Sequence, residues 1–103
     1  MFSDILDKIK ELLRGKTMSD ADLTAILDKK AEGTGLSWKR SVVDFLTLLG
    51  IDSSRANRDA LAEELGVSKE GKSGSAARNE ALRVAVFKKL AANGGNIPKS
   101  LLD

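Results

Sequence analysis

The chain contains no cysteine, no histidine and no tyrosine. Without cysteine there is no disulfide framework and no thiol nucleophile. Without histidine the commonest general base and the commonest metal ligand are both missing. Any catalysis would fall to serine, lysine and carboxylates, so a non-enzymatic role without metal or cofactor is expected. There is one proline, and the β-branched residues are scattered rather than alternating, which disfavours a sheet. No apolar run approaches the ~20 residues of a bilayer-spanning helix. Charges recur from Asp4 onward, so the start does not read as a signal peptide, and a cytoplasmic location is expected. The net charge is only +2, too small by itself to imply a polyanionic partner.

What is there suits a small all-α domain. The 103 residues are 42% hydrophobic but only 4% aromatic, so the core must be mostly Leu, Ile, Val and Ala. Five helices can be read from 3.6-residue periodicity and from stop and start residues. From Met1 to Arg14, Phe2, Ile5, Leu6, Ile9, Leu12 and Leu13 recur at helical spacing, with Gly15 as the stop. The opposite face mixes acids and bases, unlike the mostly basic face of a membrane-surface helix. Ser19 and Asp22 resemble a capping box for a second helix from Asp20 to about Glu32, closed by Gly33, Thr34 and Gly35.

Ser37 can cap a third helix, about Trp38 to Leu49, with Trp38, Val42, Phe45, Leu46 and Leu49 on one face. This helix is apolar around most of its circumference and is expected to be the hub of the fold. Arg40 and Asp44 stand i,i+4 as a candidate ion pair. Gly50 ends the helix, and Asp52, Ser53 or Ser54 caps a fourth, about Arg55 to Leu65, stopped by Gly66. The sequence VSKEGKSG, Val67 to Gly74, reads as a solvated, mobile loop. Ser75 then caps the longest helix, about Ala76 to Ala92, with a Leu82, Val86, Leu90 ridge broadened by Phe87 and alanines. Asn93-Gly94-Gly95 ends it. Pro98 suits the start of a last turn, and Leu101 and Leu102 are expected to fold back as an apolar clasp.

Three blocks carry a resemblance. The first is Leu36-x-Trp38, then Val43-Asp44 and Leu48-Leu49-Gly50. The second is Asp52-Ser53-Ser54, Arg58, Leu61-Ala62 and Glu64-Leu65-Gly66. The third is Ser75-Ala76-Ala77, Asn79, Leu82, Val86, Lys89-Leu90-Ala91, Asn93-Gly94-Gly95 and Pro98. In this order and spacing they resemble a bacterial family known as domain of unknown function 3597, over about Ser19 to Asp103. The resemblance implies a short N-terminal helix, a variable linker and a compact helical domain. It implies no catalytic residues, because the family has no assigned activity. The linker here is short, Gly15 to Met18.

Four features invite a functional reading. The stripe Phe2, Ile5, Leu6, Ile9, Leu12 and Leu13 is wider than a lone solvated helix keeps exposed, so it predicts a partner surface. That partner is the domain itself, another copy or a different protein. The span from Lys69 to Lys89 holds Lys69, Lys72, Arg78, Arg83, Lys88 and Lys89, the candidate phosphate contacts of a nucleic-acid binder. The bases fall on different sides of a helix, however, and no aromatic lies near to stack on nucleotide bases. Leu61 to Ser68 resembles the first half of a helix-turn-helix, but Gly71 and Gly74 stand where the recognition helix belongs. Asp52, Ser53, Ser54 and Arg58 read as a capped turn, with Arg58 reaching back to Asp52. Asp20, Asp22 and Asp28 lack the glycine and terminal glutamate of a calcium loop. Asn93 to Asn96 could offer backbone amides to an anion, but reads better as a helix cap.

The sequence therefore predicts a non-enzymatic protein-interaction or scaffolding module. Its N-terminal helix and joint, 1–17, would serve as the attachment or self-association element of a compact domain, 18–103. Weak nucleic-acid binding through residues 69–89 is the alternative.

Overall fold

Two serines decide where the middle of the chain turns helical. Ser41 is extended (φ −128°, ψ 119°), and its Oγ accepts from the Asp44 amide at 3.2 Å. The Asp44 carboxylate in turn accepts from the Ser37 amide at 2.9 Å. The third helix therefore starts at Val42, not at Trp38 as periodicity suggests. Trp38 sits in a separate turn, closed by Arg40 N–H to Ser37 O at 3.1 Å. A serine that binds its own downstream amide competes with helix continuation, and here it wins. The Arg40–Asp44 ion pair does not form among the described residues, because Arg40 lies outside the helix.

In the computed structural model, residues 2–14 and 20–92 are described, residues 20–22 by their backbone alone. The helices are α1 (Phe2–Leu13), α2 (Asp20–Ala31), α3 (Val42–Leu48), α4 (Arg55–Glu64) and α5 (Ala76–Ala92), with no strand among the described residues. The all-α reading holds, with helix boundaries close to those expected except at α3. The expected caps at Ser19 and Asn93-Gly94-Gly95, the stop at Gly15, the turn at Pro98 and the Leu101–Leu102 clasp lie outside the described residues.

Glycine closes α3 and α4 by the same device. Gly50 (φ +72°) lets Ile51 N–H reach back to Leu46 O at 2.9 Å, while its own N–H meets Thr47 O at 3.0 Å. Gly66 (φ +78°) repeats this with Val67 N–H to Ala62 O at 2.8 Å. Both are Schellman caps, which need a left-handed residue at that point. Ser54 caps α4 through the Asn57 amide, and Ser75 caps α5 through the Arg78 amide at 3.1 Å.

The hub is α5 rather than α3. It packs on both α3 and α4, whereas α1 packs mainly on α2. Length explains the difference, since α5 has 17 residues against seven in α3. Leu82, Val86 and Leu90 are 0% exposed. Phe87 meets Phe45 edge-on at 5.2 Å between centroids, and Trp38 lies 6.2 Å from Phe87 and 6.4 Å from Phe45. Three rings thus close the centre of a mostly aliphatic core, with Phe2 buried at its edge. The Trp38 Nε1–H donates to Asp28 Oδ1 at 3.0 Å and ties α2 to this cluster. At the other end the Phe2 amide donates to Glu64 at 2.7 Å, and Lys89 Nζ stands 5.0 Å from the Phe2 ring centroid. The α1–α2 pair is therefore fastened to the rest at two separate points.

Candidate functional site

The apolar stripe of α1 is occupied by the chain itself. Phe2, Ile5, Ile9 and Leu13 are buried, and Leu6 and Leu12 are half-buried against the same core. Of the three partners the stripe allows, the structure supplies the first, the rest of the domain. These side chains share one continuous cluster with Trp38, Phe45 and Phe87.

The basic span divides into structural arginines and solvent lysines. Arg83 is the one buried charged residue among those described, at 7% exposure. Its Nη1 donates to Lys39 O at 3.2 Å, its Nε to Glu80 at 3.0 Å, and its guanidinium lies 5.8 Å from the Phe87 ring. Arg78 donates to Glu70 O and Gly71 O, each at 3.0 Å, and pairs with Asp59 at 3.4 Å. Lys89 covers Phe2. Lys69, Lys72 and Lys88 remain exposed. The six bases do not form one surface.

The 67–74 loop is solvated as expected but is also clamped, which the sequence reading missed. Besides the two Arg78 bonds, Arg55 Nε and Nη2 reach Ser73 Oγ at 3.1 Å and Ser73 O at 2.6 Å. Ser73 Oγ donates to Asp59 at 2.5 Å. Gly71 is left-handed (φ +72°), and a Cβ there would stand 2.9 Å from Ala77 Cβ and 3.0 Å from the Arg78 backbone nitrogen. The loop therefore lies flat on the first turn of α5. No recognition helix follows Gly66, as the two glycines indicated.

The polar turn before α4 is a cap. Ser54 N–H and Oγ both meet Asp52, at 2.9 and 3.1 Å, and Asn57 Nδ2 donates to Asp52 O at 2.6 Å. Arg58 reaches the Ser53 carbonyl rather than Asp52, because Asp52 is already engaged by Ser54. Asp28 serves Trp38 and, at 3.6 Å, Lys39. Asn93 to Asn96 lie outside the described residues.

Two carboxylates are tuned by neighbours. The Phe2 amide, with Lys89 adding to it, holds the Glu64 carboxyl below the ordinary glutamate value. The Arg83 hydrogen bond does the same for Glu80. Each is thus a carboxylate held by a cation or an amide of the fold itself, Glu64 by Phe2 and Lys89 and Glu80 by Arg83.

A further feature is a groove on the outer side of α5. Ala77, Ala81, Val84 and Ala85 form its floor, Val67 one wall, and Glu70, Glu80 and Lys88 its rim. Its volume is about 570 Å³. The signal for it was the excess of small apolar residues around α5, more than one core face requires.

A family model described as a domain of unknown function, DUF3597, matches residues 2–98. The chain belongs to this family. The resemblance read from the sequence spans about Ser19 to Asp103, whereas the DUF3597 match begins at Phe2 and so takes in α1. No curated protein and no solved structure matches the chain.

Proposed function

We propose that the protein is a non-enzymatic protein-interaction or scaffolding module of the bacterial cytoplasm, and that its contact surface is the outer face of α5. The observation that carries this is the groove over Ala77, Ala81, Val84 and Ala85. It is open, apolar along its floor and charged only at its rim. An apolar floor of small side chains lets a helix or an extended segment approach closely, and a polar rim fixes its register. Nucleic-acid binding through 69–89 is less well supported, because Arg78 and Arg83 are engaged by the protein's own carbonyls and carboxylates. No helix among the described residues is long and apolar enough to cross a membrane.

The test is a photoactivatable side chain placed at Ala81 in the full chain, expressed in its native cell. A discrete protein adduct is expected, with none from the same probe at exposed Ser3. Absence of an Ala81 adduct, together with salt-labile binding of random duplexes, would replace this reading with the nucleic-acid one.

A further inference from the structure

The occupant of this groove can be argued from the register of its charges. At 100° per residue, Ala77, Glu80, Val84, Lys88 and Ala91 fall within one sector of α5. Counted from Val84, Glu80 stands four residues before and Lys88 four after. Ala77 and Ala91 stand seven before and after. This one row reads the same in side-chain size, and opposite in charge, from either end, while Ala81 and Ala85 of the groove floor lie beside it. A helix with that property is complementary to a copy of itself laid antiparallel.

Two local features favour such use. Glu80 is oriented by Arg83, whose Nε donates to it at 3.0 Å, yet the Glu80 side chain stays 55% exposed. A carboxylate so held keeps lone pairs for a second cation. Lys88, at the other end of the groove, has no hydrogen-bond or ion-pair partner among the described residues. The alanines allow an interaxial distance near the ~8 Å lower limit of helix packing.

We infer that α5 pairs with α5 of a second copy of this chain, antiparallel about a two-fold axis at Val84. Glu80 of each copy then faces Lys88 of the other. The inference rests on the groove being a protein-contact surface. Such an interface is isologous, so each favourable pair occurs twice. A strongly acidic or strongly basic partner matches this face less well, since the rim carries both signs, Glu70 and Glu80 against Lys88. A contact made by one helix face per copy is a small interface, so the dimer is expected to be weak and to exchange.

Sedimentation equilibrium of the full chain tests this, with folding checked by circular dichroism. The wild-type chain should dimerise reversibly, and Lys88→Glu, which sets acids against acids twice, should weaken it about tenfold. Glu80→Lys alone should do the same. An equimolar mixture of the two variants should recover the dimer, because each then meets its opposite. If Glu80→Lys fails to fold for want of its Arg83 contact, Val84→Asp replaces it and should leave only monomer. A wild-type chain still monomeric at about 1 mM overturns the inference. So does a dimer indifferent to both Lys88→Glu and Val84→Asp. An Ala81 adduct to a different protein would retain the groove as a contact surface while sinking the second copy as its occupant.

Discussion

Trp38 shows how one side chain can sit where periodicity places it while its backbone does not. Its i,i+4 relation to Val42 put it on the core face, and it is 3% exposed. It arrives there from a turn, because Ser41 rather than Ser37 starts the helix. Trp38→Ala should cost about 3–5 kcal/mol, and Trp38→Phe, which loses only the Asp28 bond and some volume, far less. Chemical denaturation of both variants checks the order, and native emission should be blue-shifted. Glu80 supplies a pH prediction. Its carboxyl is held low by Arg83, so its folded-state pKa lies below its unfolded one. Its contribution to stability is therefore fully present above the ordinary glutamate value of about 4.3 and disappears as pH falls through the lowered folded value. Glu80→Gln should flatten that part of the stability–pH curve, read by thermal melts across the acid range.

At the scale of elements, helix ends were the most legible features and helix partners the least. Gly50, Gly66 and Ser75 announce their caps because a left-handed residue or an amide acceptor is a local requirement. The role of α5 as hub, and the burial of Arg83, are not local. A helix carrying Leu, Val, Phe and Ala on most sides does not say which side meets the core. The α5 groove was hidden for the same reason. The clamp on the 67–74 loop went unread because composition reports solvent affinity, whereas the arginines that make it come from α4 and α5. This clamp can be tested twice. Gly71→Ala should destabilise by about 2–3 kcal/mol, because the added Cβ meets α5 backbone that cannot yield. Gly66→Ala, equally left-handed but with open space around it, should cost about 1 kcal/mol. Arg78→Ala should speed tryptic cleavage after Lys69 and Lys72 without unfolding the domain, as mass spectrometry of the fragments would show.

For the whole molecule, the place of α1 decides the outcome of truncation. The sequence alone favours a domain that folds from Met18 onward, with the first helix free for attachment. Four fully or nearly fully buried side chains on α1 argue otherwise. Deleting Met1–Lys16 strips Phe2, Ile5, Ile9 and Leu13 from a core that has few residues to lose. The truncated chain is expected to lose its cooperative melting transition, which calorimetry or circular dichroism will show. A sharp transition near the full-length midpoint would restore α1 to the role of a detachable arm. Membership of a family gives one further feature a historical meaning. The Arg55 guanidinium lies where a side chain at position 74 would begin, 2.7 Å from a Cβ built on Gly74. Arg55 is long and exposed, so it can swing aside, but only by releasing Ser73. Positions 55 and 74 should therefore drift together among relatives. A lineage that gives up glycine at 74 has little left to keep an arginine at 55, and aligned sequences would carry that trace.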